Sequence, residues 1–291
     1  MMTSPSTVES RSPHQRLASI VAACGVAMLA SAANADTVVL TSVTDNTLIE
    51  DATGAYSCGA AQYFFAGRVG VNGGSSIRRG AVRFDLSSIP AGSTITGVSL
   101  RLYCSAAGLT SAQTVSLKRF QASWGEGPSV AFGGGGAPSQ SNDVTWLHRH
   151  YPNSLWTTPG GQFVPTVTAS RSVGTVGYYT WSSTPQFITD VQQMVNQPAT
   201  NFGWMVQGNE TTLQAVKRFD SHESTVAASR PQLTVVYLPP TSYDLTGDNK
   251  VNGADLAALL GGWGIDGPAD FNNDGTVGAP DLAILLGAWT S

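Results

Sequence analysis

Two stretches near the C-terminus space oxygen-bearing side chains as a hard divalent cation requires. In the first, Asp244, Thr246, Asp248 and Asp255 hold positions 1, 3, 5 and 12 of a twelve-residue loop; in the second, Asp270, Asn272, Asp274 and Asp281 do. Such a loop wraps carboxylate and carbonyl oxygens around one Ca²⁺. Position 7 contributes a backbone carbonyl, from Lys250 and Thr276, and position 9, acting through water, is Asn252 and then Gly278. Position 6 needs a sharp turn. Gly275 supplies it in the second loop, and Asn249 is the non-glycine residue best suited to it in the first. The second loop offers the better oxygen at position 3, Asn272 against Thr246. The two stretches superimpose with an offset of 26 residues, through the leucine-rich runs that follow and on to Trp263 and Trp289. A merely acidic, solvated tail would not keep Val, Leu and Trp in register. Each bare loop crowds three carboxylates beside a small apolar face, so the module is expected to fold only with its metal, two Ca²⁺ in all.

The rest of the chain offers weaker chemistry. A glycosidase needs two carboxylates facing each other across a cleft, and the candidates are Glu126, Asp143, Asp190, Asp220 and Glu223. Asp220-Ser221-His222-Glu223 has residue types suited to acid–base work, yet adjacent side chains diverge, and no nucleophile elbow or zinc-protease helix is present. Asp220 and Glu223 are instead candidate ligands of a further structural calcium. Aromatic side chains that stack on sugar rings are the other resource: Trp124, Trp146, Trp156, Tyr178, Tyr179 and Trp181. Loops favour exposure, so Trp124 and Trp156 rank first; Arg149 and His150 beside Tyr151 are candidates to read an acidic sugar. For each, packing in a core or loop is the competing expectation.

These residues need elements to hold them. Strand-like runs are read at 37–42, 80–84, 94–104, 114–120, 166–169, 177–181, 203–207, 212–219 and 231–238. Ser99 to Tyr103 and Gln232 to Tyr237 alternate apolar and polar, as strands with one face in a core do. Glycine- and serine-rich turns separate the runs. Phe187, Ile188, Val191 and Met194 recur at helical spacing and predict one helix over 185–196. Many strands with one short helix point to an all-β jelly-roll sandwich, followed by a small α-helical module of paired calcium loops.

Charge marks the boundary. Residues 36–240 carry 11 acidic and 12 basic side chains, whereas 241–291 carry seven Asp and the single Lys250. Leu238-Pro239-Pro240 begins the expected linker, 238–243, between a domain at 36–237 and a module at 244–291. With a net charge of -4 and only 15 Lys and Arg, the chain lacks what a nucleic-acid backbone binder needs. Residues 1–35 read as a secretory signal: Arg11 and Arg16, an apolar run from Leu17 to Ala30, and a small-x-small site ending at Ala35. No run is long enough to be a transmembrane span. Export would remove Cys24 and leave Cys58 and Cys104, which in an oxidising compartment form one disulfide or remain two separate buried thiols.

The tail resembles a dockerin-type module, with Asp rather than Glu at position 12 and a short helix after each loop. That resemblance implies calcium binding and a cohesin-like or surface-protein partner. The residues that select a cohesin in that family fall at Gly253-Ala254 and Ala279-Pro280, which depart from the usual Ser-Thr. The large region resembles the DNRLRE family of secreted jelly-roll domains, on Arg78 to Tyr103, Asp143-Val144-Thr145-Trp146 and Ser229 to Val235. This resemblance implies a non-catalytic extracellular module that binds polysaccharide or serves as a scaffold.

Overall fold

A computed structural model describes residues 35–240, 242–248 and 250–290. The expected signal segment, Cys24 included, lies outside them, as does Asn249 of the first loop. The described residues form two compact units, divided between Ser242 and Tyr243. Among them, no helix is long and apolar enough to cross a membrane.

The first unit is all-β apart from one α-helix and short helical turns. Its strands are β1 (Asp36–Ile49), β2 (Tyr56–Ser57), β3 (Tyr63–Arg68), β4 (Ile77–Phe84), β5 (Thr94–Ala107), β6 (Gln113–Arg119) and β7 (Ala137–Pro138). They continue as β8 (His148–His150), β9 (Ser154–Leu155), β10 (Ala169–Val173), β11 (Gly177–Trp181), β12 (Trp204–Gln207), β13 (Lys217–Asp220) and β14 (Gln232–Leu238). The helix α1 spans Pro185–Asn196, the range its periodicity predicts. Thr184 caps it by accepting the Phe187 N–H, and Pro185 opens its first turn.

All the principal pairings are antiparallel. One sheet joins β1 to β14, β14 to β5, β5 to β11 and β13, and β13 to β3. The other joins β1 and β3 to β4, then β12, β6 and β10. β1 serves both sheets: residues 36–41 pair with β14, and after an irregularity at Ser42/Thr44 the rest pairs with β4. β3 bridges them likewise, through Tyr63–Ala66 to β13 and Gly67–Arg68 to β4. The result is a sandwich-like core closed along both bridging strands.

Alternation along the strands explains what fills it. Leu100, Leu102 and Cys104 of β5 and Leu233 and Val235 of β14 point inward, toward Phe64, Val82, Trp204, Val206 and Phe219. Phe187, Val191 and Met194 of α1 complete this core. The opposite faces of β4 and β12 are buried too. Ala81 and Met205 join Leu48, Phe120, Trp124, Val144 and Trp156 in a second apolar cluster beneath the loops of 120–165. β4 and β12 therefore have no solvent face, because the loops pack as a further layer.

The second unit contains two helices, α2 (Gly253–Gly261) and α3 (Ala279–Gly287), each preceded by an acidic loop. Val251, Leu259, Val277 and Leu285 form its core, with Ala269. The sequence repeat reappears as reciprocal pairing. The Gly264 N–H donates to the Val277 carbonyl, and 26 residues on, the Thr290 N–H donates to the Val251 carbonyl, both at 2.9 Å.

Two expectations about elements need correcting. The strand read at 166–169 starts at Ala169 and continues through polar Ser170–Ser172, an exposed edge with no apolar alternation to mark it. The strand read at 212–219 begins only at Lys217, since residues 212–215 form a turn.

Candidate functional site

In the first acidic loop, ligand oxygens of Asp244, Asp248 and Asp255 lie within 4.8 Å of one another. Asp255 is positioned as the third residue of α2, where its Oδ2 accepts the Asn252 N–H at 2.8 Å. Its Oδ1 accepts the N–H groups of Leu245 and Thr246 at 2.8 and 3.0 Å and the Thr246 hydroxyl at 3.0 Å. These bonds, led by that from Asn252, hold its carboxyl down at about 2. Asp244 accepts the Gly247 N–H, Asp248 accepts the Lys250 N–H, and Asn252 donates to Asp248 at 3.0 Å.

The second loop repeats the closure but not the gathering. Asp281 accepts Phe271, Asn272 and Gly278 N–H groups at 2.8, 3.0 and 2.8 Å. Asp270 accepts Asp274 and Gly275 N–H groups, while Asn272 and Thr276 bond to Asp274. Gly275 has φ of +94°, as the sharp turn at position 6 requires. Asp270, Asp274 and Asp281 do not form a comparably tight group among the described residues, so the tighter carboxylate cluster falls in the first loop.

The β unit holds a second cluster that only partly follows from sequence. His222, in the turn after β13, stands among three carboxylates. Its Nδ1 lies 3.2 Å from Asp45 Oδ2 and 3.4 Å from Glu126 Oε1, and its Nε2 lies 3.0 Å from Glu223 Oε1. The Asp45 side chain is 2% exposed, whereas those of His222, Glu126 and Glu223 are 25%, 26% and 23% exposed. Asp45 comes from β1 and also accepts the His222 N–H at 2.8 Å. Glu126 accepts the Asp45 N–H at 2.8 Å, and the neighbouring Asn46 donates to the Glu126 carbonyl at 2.5 Å. Gly127 has φ of +70°, and a Cβ there would strike Asp143, so this loop can pass only as glycine.

Burial dominates the electrostatics of this cluster. It raises Asp45 and Glu223 and pushes Glu126 up to about 7. Burial pulls His222 down, but the hydrogen bond and charge of Asp45, with Glu223 and Glu126, outweigh it and push the imidazole up to about 9. Sequence reasoning reached Glu126, His222 and Glu223 but missed Asp45. Its signal was the polar run Ser42 and Thr44 to Thr47, buried inside a strand. Asp220 stands apart from Glu223: its Oδ2 accepts the Ser224 and Ser229 hydroxyls at 3.1 and 2.5 Å. Glu223 gathers with Asp45 and His222, each offering a ligand atom within 4.8 Å of the others. The other two candidate carboxylates are each hydrogen-bonded within the β unit. Asp143 accepts the Gln140 N–H, and Asp190 binds Arg119, Thr168 and Gln186.

The aromatic expectations change most. Trp124 and Trp156 are 4% and 5% exposed, not surface contacts. Trp156 stacks on Phe120 at 5.7 Å and donates its Nε1–H to the Thr145 carbonyl; Trp124 donates to the Phe202 carbonyl. Both lie in loops, but the loops bury them against the second sheet. Trp181 is buried, Tyr179 is partly so, and the Arg79 guanidinium sits 4.8 Å over Trp146. Arg149 and Tyr151 are half-buried at the β8–β9 hairpin, with Arg149 3.4 Å from Ser123 Oγ and Tyr151 edge-on to His148. Only Tyr178 of the six aromatic candidates is largely exposed, at 50%. It pairs with Tyr103 at 4.7 Å beneath the Arg101 guanidinium at 4.8 Å. Arg218 bonds Ser105 and lies 4.0 Å over Tyr63, on the outward faces of β13 and β3.

The two cysteines do not form the expected disulfide. Cys104 faces the main core, whereas Cys58 packs with Ile49, Ala61 and Ala131 in a separate cluster. Burial pushes the Cys58 thiol up to about 12 and also raises Cys104, so both are inert thiols.

No protein-family model matches the chain, and no curated protein matches it.

Proposed function

We propose a secreted, non-catalytic calcium-binding protein, in which a β unit of jelly-roll type meets extracellular polysaccharide and a dockerin-like tail tethers or docks it. The observation that carries the calcium reading is the convergence of Asp244, Asp248 and Asp255 in a loop whose sequence pattern recurs 26 residues later. Hard carboxylate oxygens on a twelve-residue loop suit Ca²⁺ above softer ions. The glycan reading moves from Trp124 and Trp156 to the outward strip of Arg101, Tyr103, Tyr178, Arg218 and Tyr63. Its two guanidiniums favour an acidic polysaccharide, with Tyr178 as the apolar contact. A second reading, a surface scaffold without glycan specificity, is favoured by one observation: both guanidiniums already cover ring faces that a sugar would stack on.

Calorimetry tests the tail, with about two Ca²⁺ per chain expected, one for each loop. Asp270→Ala and Asp281→Ala should each remove the second ion, and unchanged stoichiometry in both would sink the assignment. Binding to acidic and neutral glycans, measured with and without calcium, tests the β unit. Acidic-glycan binding lost in Tyr178→Ala and Arg218→Ala supports the strip, whereas silence across the panel leaves the scaffold.

A further inference from the structure

The His222 cluster has the composition of a metal site that differs from the calcium loops in one respect: it contains a nitrogen ligand. Asp45, His222 and Glu223 each place a ligand atom within 4.8 Å of the other two, and Glu126 adds a fourth group 3.4 Å from Nδ1. The ligands come from three separate stretches of chain, β1, the 124–127 loop and the turn after β13, so local sequence does not account for their meeting.

Three further observations point to a cation. His222 Nδ1 lies 3.2 Å from Asp45 Oδ2 and 3.4 Å from Glu126 Oε1, the spacing of neighbouring ligands in a shell whose bonds of ~2.0–2.1 Å at tetrahedral angles put them about 3.3 Å apart. Three acidic side chains share a single basic neighbour, since the ionisable groups acting on Asp45, Glu126 and Glu223 are His222 and one another. Finally, Glu223 Oε2 is buried without a hydrogen-bond partner among the described residues. Such an oxygen is costly to leave unpaired.

We propose that Asp45, His222 and Glu223, with Glu126 beside them, bind one divalent transition-metal ion of the Zn²⁺ class, which fastens β1, the 124–127 loop and the turn after β13 together. Imidazole with carboxylates suits Zn²⁺ and its neighbours, whereas Ca²⁺ prefers an all-oxygen shell. The partial exposure of His222, Glu126 and Glu223 gives the ion a route from solvent.

The test is zinc titration of the full chain in excess Ca²⁺, which keeps the C-terminal loops filled, followed by Co²⁺ substitution to read the ligand field. One Zn²⁺ per chain is expected, absent in His222→Gln and retained in a His148→Gln/His150→Gln double variant. Co²⁺ should give visible d–d bands that His222→Gln abolishes. Glu223→Gln, which keeps the side chain's size and removes its charge, should weaken zinc by at least the roughly 10-fold that loss of even an outer-shell partner costs, and decides the matter if His222→Gln fails to fold. The proposal is overturned if the wild-type chain takes up no zinc, if uptake survives His222→Gln, if it is lost through His148 and His150 instead, or if Glu223→Gln leaves the affinity unchanged. Calcium stoichiometry is read separately, so failure here leaves the two-loop reading standing.

Discussion

Replacing Trp156 by Ala separates a sugar contact from a structural wedge. The indole is 5% exposed, stacks on Phe120 with 12° between the rings, and satisfies the Thr145 carbonyl at 3.1 Å. Truncating a buried Trp costs about 3–5 kcal/mol through lost transfer energy and the cavity left behind. The aromatic pair contributes ~0.5–1.5 kcal/mol and the freed carbonyl about 1 kcal/mol; both lie largely within that range rather than adding to it. A loss of ~4 kcal/mol in a unit of this size lowers the Tm by roughly 8–16 °C. Urea unfolding followed by tryptophan fluorescence and by far-UV circular dichroism measures the loss and checks that the transition stays two-state. Glycan binding, assayed well below the melting temperature, should be unchanged. A stability loss under about 1 kcal/mol, the range of surface substitutions, together with lost glycan binding would refute the reasoning and restore Trp156 as a contact residue.

Two other outcomes are expected. Asp190→Ala leaves Arg119 without its partner and strips Thr168 and Gln186 of an acceptor, so it should cost about 3 kcal/mol, the lower end for a broken buried pair because Arg119 keeps some solvent; equilibrium unfolding checks it. In chelator-treated protein, stability should fall as pH rises from about 4.5 to about 9. The fold favours the proton on Glu126, whose stabilising effect is complete below 4.5 and lost through about 7; that of His222 is complete below 6.5 and lost through about 9. Urea midpoints across this range should show the fall, flattened in Glu126→Gln and His222→Gln; a rise over the same window would contradict the burial argument.

Much of the architecture was legible because it depends on local pattern. α1 carries both its apolar period and its cap, Thr184 before Pro185, so its limits were readable to the residue. β5 and β14 alternate because one face meets the core. β3, by contrast, reads Tyr-Phe-Phe-Ala-Gly-Arg, and its four central residues are all buried, so no alternation marks it as a strand. The acidic loops were visible as a repeat, since their chemistry lies in contiguous sequence. The His222 cluster was not, because Asp45 and His222 are 177 residues apart and meet only through the packing of β1 beside the turn after β13. The tryptophans misled for a related reason. A loop residue is ordinarily taken as solvated, but here the loops of 120–165 are themselves a packing layer, and that layer is a long-range property.

The double engagement of β1 also dictates when this protein can assemble. Its first half pairs residue for residue with β14, Asp36 with Tyr237 and Leu40 with Leu233, so the earliest strand waits for the latest. A chain emerging stepwise from a ribosome or a translocation pore cannot complete the first sheet until residue 238 is free. Contacts of such sequence separation fold slowly. The nascent β unit therefore spends its whole synthesis with β1 unpaired on that side, a long interval in which a holdase or an unfolded-chain export route has a substrate to engage.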